Sequence, residues 1–150
     1  MKRDQTVLKK ALNFKYEPVI RKLESKGFSK NEARRLFQDV KKFLWMCAKN
    51  PKMCFVPSEK IDTGWHCLLE FTHAYQKFCQ NTLGCFVHHF PKEALPAAFA
   101  GARCASCGAA GGRMIKPPLG ISPNEQTLTV ARATFGKISE NWNFDTNRHV

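Results

Sequence analysis

The chain is predicted to be all-α: a small bundle of about four helices, then a flexible small-residue linker and a C-terminal segment. Three observations carry this reading. Apolar residues recur at intervals of three and four over two long stretches, near residues 30–49 and 59–82, which is the spacing of a buried helix face. A serine is followed three residues later by a glutamate at the head of the first stretch, Ser29 and Glu32, the pattern of a capping box. The 150 residues, 43% of them hydrophobic, suit one domain with a tail and can build a core.

The elements follow in order. In "YEPVIRKLESKG", Val19, Ile20 and Leu23 share a side, and Gly27 is a good helix stop. "SKNE" then caps a helix whose stripe is Ala33, Leu36, Phe37, Val40, Phe43, Leu44 and Cys47. Its other side carries Arg34, Arg35, Lys41 and Lys42, and Asn50-Pro51 ends it. Pro57-Ser58 starts the next helix, on which Ile61, Trp65, Leu68, Thr72, Tyr75 and Cys79 share a face, with Gly84 as its stop. "CFVHHFP" is expected to be an extended segment or tight loop that folds back.

After Pro91 the chain becomes small-residue-rich, and "KEALPAAFAGARCASCGAAGGRM" lacks the apolar area to offset the cost of ordering it. The domain plan is therefore a helical domain over 1–95, a Cys/Gly/Ala-rich linker over 96–120 and a C-terminal segment over 121–150 of unassigned docking. "SPNE", from Ser122 to Glu125, has the capping pattern of a further helix. "QTLTVARATF" leaves helix and strand open, because its β-branched residues oppose the cap. The end, "NWNFDTNRHV", reads as loose, with Trp142 and Phe144 as anchors. The predicted centre of the core is Leu36, Val40, Phe43, Leu44, Trp65, Leu68, Tyr75 and Phe78.

No run of ~18 apolar residues exists, so no membrane span is expected. The basic N-terminus has no apolar run of a secretory signal, which points to a cytoplasmic chain. Seven Cys, an odd number, are then thiols or metal ligands before disulfides.

The net charge of +12 is uneven: residues 1–60 hold sixteen Lys/Arg against six acids. Such a potential favours a phosphate backbone, anionic lipid or an acidic protein. Arg21, Lys22, Arg34, Arg35, Lys41 and Lys42 are the candidate contact surface. The expected function is accordingly a non-enzymatic binding or interaction domain that offers a basic helical surface to an acidic partner, protein or nucleic acid.

The alternative is a zinc-binding module. "KIDTGWHCLLEFTHAYQKFCQ" places Asp62 and His66 four residues apart, neighbours on a helix. A carboxylate beside one imidazole nitrogen fixes the tautomer and frees the other nitrogen for a metal or a proton. His66, Cys79 and His89, with Cys104 or Cys107 of "CASC", form a nitrogen/sulfur set that suits Zn²⁺. Against this stands a packing role, with His66 and Cys79 in the core and Asp62, His66 and Tyr75 as a structural polar cluster. A Cys–His nucleophile pair is available by composition alone, and no serine-nucleophile motif, phosphate-cradling glycine loop or paired carboxylates appear.

Asp62, Trp65, His66, Leu69, Tyr75, Phe78, Cys79, His89 and Pro91, over about residues 55–92, resemble the signature of the glycine-rich domain-containing-protein-like family in its short bacterial form. That family implies no established activity, and this chain has few of the tail glycines and cysteines.

Overall fold

The computed structural model describes residues 2–53, 55–89 and 118–144. Among these, six α-helices and no extended strand occur, and the all-α reading holds with two more helices than expected. They are α1 (Lys2–Asn13), α2 (Glu17–Ser25), α3 (Lys30–Lys49), α4 (Glu59–Leu69), α5 (Thr72–Phe78) and α6 (Pro123–Phe135). A π-helical turn, Cys79–Leu83, extends α5, and a 3₁₀ turn, Glu140–Trp142, follows α6.

Local chemistry sets the helix ends. Ser29 Oγ accepts from the Glu32 amide while Glu32 Oε2 accepts from the Ser29 amide, so the capping box is complete. Ser122 and Glu125 repeat it at α6, which settles the ambiguous "QTLTVARATF" as helix. Gly27 and Gly84 both have positive φ, +100° and +81°, a region glycine enters without a Cβ clash.

The long helix α3 is the axis of the domain. It packs against α1, α2, α4 and the 3₁₀ turn, so more than one of its faces is covered. Beyond the predicted stripe, Trp45, Met46, Asp39 and Lys41 are buried as well. All eight residues expected at the core centre are buried. α4 approaches α3 closely at Gly64, where a Cβ would stand 2.7 Å from Val40 Cγ2.

The helix expected over 59–82 is not continuous. It breaks at Glu70–Phe71, where φ/ψ of Phe71 is −93°/67°. Contacts distant in sequence account for the break. The Phe71 ring stands edge-on to Tyr16, centroids 5.4 Å apart, and Glu70 Oε2 meets Lys22 Nζ at 2.7 Å. The restart turns Tyr75 and Phe78 into the core and leaves Thr72 and His73 exposed, so Thr72 is not on the buried face. The Gly84 amide donates to Cys79 O, the i→i+5 bond of a π turn, and closes the element there.

The C-terminal segment docks. Trp142 is 1% exposed between Phe43 and Phe135. Asp39 Oδ2 accepts from Ser139 Oγ (2.7 Å) and Asn141 Nδ2 (2.9 Å), while Ser58 Oγ donates to Asn141 O. The Val56 amide donates to Thr127 Oγ1 at 2.9 Å. Of the stretch expected to be loose, residues 141–144 are described, and Trp142 anchors them as expected, together with Asn141. The expected linker over 96–120 lies outside the described residues apart from Pro118–Gly120.

Candidate metal centre

Asp62 and His66 project from α4 one turn apart, as the i, i+4 spacing requires. Over residues 85–89 the chain carries no helix and returns along α4, bringing His89 to the same carboxylate. His89 Nε2 is 2.9 Å from Asp62 Oδ1, and His66 Nε2 is 3.4 Å from Asp62 Oδ2. The two imidazole rings stand edge to face with centroids 4.4 Å apart. One ligand atom from each of the three residues lies within 4.8 Å of the other two.

The two imidazole–carboxylate separations, one to each oxygen of Asp62, are close to those between neighbouring ligands of a first-row divalent ion. With bonds of ~2.0–2.2 Å, ligands lie about 3 Å apart in octahedral cis positions and about 3.4 Å apart in a tetrahedron. Two imidazoles with one carboxylate form a donor set suited to zinc or non-haem iron rather than to calcium or copper(I). Burial is graded across the set: the His89 side chain is 12% exposed, Asp62 40% and His66 55%. One side of the site thus opens to solvent. The closed side is Trp65, whose ring meets His89 edge-on at 4.5 Å.

Trp65 in turn is held from within. Its Nε1 donates to Tyr75 Oη at 3.1 Å, and Tyr75 Oη donates to the Val87 carbonyl. Burial raises the Tyr75 hydroxyl far above the usual phenol range, and the neighbouring Cys79 adds to that, so it stays a neutral donor. Because Val87 is two residues before His89, this bond ties the returning segment to α5 and, through Trp65, to α4.

Several expectations are corrected here. Cys79 is not in the cluster: it is fully buried next to Tyr75 and the Val87 main chain. Asp62 stands in its place as the third residue of the cluster. Tyr75 belongs to the Trp65–Val87 network rather than to a cluster with Asp62 and His66. His66 is exposed rather than a core residue, and His73 faces solvent away from the site. Cys104 and Cys107 lie outside the described residues. Burial pushes the thiols of Cys67, Cys79 and Cys85 up, opposite to the shift a nucleophilic cysteine needs.

The basic surface also changes. Lys41 is 1% exposed, and its Nζ donates to Leu12 O (2.8 Å) and Phe14 O (2.7 Å), sealing the C-terminal end of α1. Desolvation pushes it down to about 8. Lys22 pairs with Glu70, and Lys42 lies 3.6 Å from Asp39 and over the Phe135 ring. Arg21, Arg34 and Arg35 remain exposed, with Arg34 3.9 Å from Glu17. No helix among the described residues is long and apolar enough to cross a membrane.

No curated protein and no solved structure matches the chain. A family model does match, over residues 3–104, a span that runs from α1 through all three residues of the cluster and stops short of α6. The chain belongs to the UCP032817-like family.

Proposed function

We propose that this protein is a metal-binding module that holds one zinc-like divalent ion through Asp62, His66 and His89. The observation that carries the reading is the convergence of two imidazoles on one carboxylate, at 2.9 and 3.4 Å, from chain segments 27 residues apart. A hydrogen-bonded structural pair needs one histidine. Two on one carboxylate, with solvent on one side, match three protein ligands and an open position.

Cobalt(II) tests the donor set. Added to chelator-treated protein, one equivalent should give visible d–d bands without the near-ultraviolet charge transfer of a thiolate. His66→Ala and His89→Ala should each abolish the bands, and Cys79→Ala should leave them. A thiolate band, or bands that survive both histidine changes, would contradict this ligand set.

A second reading is supported by Arg21, Arg34 and Arg35, which stay exposed near the α2–α3 corner. We propose that this corner, with fewer cations than the composition suggested, meets an acidic protein or nucleic-acid backbone in the cytoplasm. Retention on a polyanion column that is unchanged in an Arg21/Arg34/Arg35 triple alanine variant would reject it. The pattern around Trp65-His66 further supports, as a proposal, a relation to the glycine-rich domain-containing-protein-like family.

A further inference from the structure

A second concavity lies away from the metal centre, between α1 and the π-helical turn. It is an open groove of about 480 Å³, within the range of small-molecule sites. One wall is a single face of α1, with Arg3, Thr6 and Lys10 at helical spacing. The other is the π turn, which presents Gln80, Asn81 and Thr82. Val7 and Leu83, both partly buried against the core, give it an apolar floor. Among the described residues no carboxylate lines it.

The charge is arranged as well as present. Seven residues separate Arg3 from Lys10, about 10 Å along the helix axis. Lys10 Nζ already reaches across to Asn81 O at 3.5 Å, so its ammonium stands over the groove. Two cations at that spacing, flanking hydroxyl and amide side chains, suit an elongated anion better than a single phosphate. The wide π turn sets Gln80–Thr82 as the facing wall, and such turns recur at functional sites.

We propose that this groove binds a polyphosphate-bearing small molecule. Its phosphates run between Arg3 and Lys10, and the rest of the molecule lies over Val7 and Leu83. The site is independent of the metal centre and does not rest on it.

The test is a titration of the full-length, ¹⁵N-labelled chain, kept metal-free with a chelator, with tripolyphosphate and with ATP at constant ionic strength. Saturable amide shifts should concentrate at Thr6, Lys10, Asn81, Thr82 and Gly84. Arg3→Ala and Lys10→Ala, both at exposed positions, should each weaken binding by about 10-fold or more. An Arg132→Ala/Lys137→Ala variant, which loses two exposed charges outside any site assigned here, should bind as the parent does. Non-saturating shifts spread over the basic surface, or equal weakening in the Arg132/Lys137 variant, would overturn the proposal.

Discussion

His89 Nε2 lies 2.9 Å from Asp62 Oδ1 although 27 residues separate them. This contact ties the irregular chain after Gly84 to α4, with the His89 ring resting on the edge of Trp65. His89→Ala removes a charge-assisted bond and a ring contact together. It should cost about 1–3 kcal/mol in urea unfolding of metal-free protein and change Trp emission. Unaltered stability and emission would mean that the segment is held by Val87 alone.

Tyr75 is the second tie. Its hydroxyl accepts from Trp65 and donates to Val87, so Tyr75→Phe strands a buried indole N–H and a carbonyl at once. A loss of about 1–3 kcal/mol is expected, with metal affinity falling because the His89 register loosens. Equal metal affinity in the variant would separate the two networks.

How much of this was legible in the sequence differs by residue. The core positions were, because Leu, Phe and Trp at three- and four-residue spacing have one way to hide. The Asp62–His66 pair was too, since it is local. The break at Glu70–Phe71 was not, because it depends on Lys22 and Tyr16, distant in the chain. Cys79 looked like a ligand by type, but helical phase points it at Tyr75 and the core. Lys41 was counted as surface for its charge alone. Only the packing of α1 across α3 shows that two helix-end carbonyls await it.

Lys41 therefore makes a pH prediction. Its ordinary value of 10.5 falls to about 8 in the fold. Between those values the unfolded chain binds more protons, so stability should rise with pH over about 8 to 10.5. Lys41→Met should lose that rise and, below pH 8, cost about 1–3 kcal/mol by leaving the Leu12 and Phe14 carbonyls unmet. The difference between parent and variant unfolding curves at several pH values isolates the effect. A parallel pair of curves would contradict it.

Gly64 sets the α3–α4 distance that presents Asp62 and His66. A Cβ there meets Val40 Cγ2 at 2.7 Å, and the β-branched valine has little freedom to turn away. Although alanine favours helix by ~1 kcal/mol, Gly64→Ala should destabilise by about 1–3 kcal/mol net. Adding Val40→Ala should recover part of the clash cost, as a double-mutant cycle would register.

The most direct test of the central claim is calorimetric titration of zinc into metal-free protein, in parallel for the parent and for Asp62→Asn, His66→Ala, His89→Ala and Cys79→Ala. The ligand set assigned here predicts one zinc per chain for the parent and for Cys79→Ala. It predicts binding weakened by about 100-fold or more in each of the other three. Undiminished binding in the Asp62 and His89 variants, or loss only with Cys79→Ala, would contradict it.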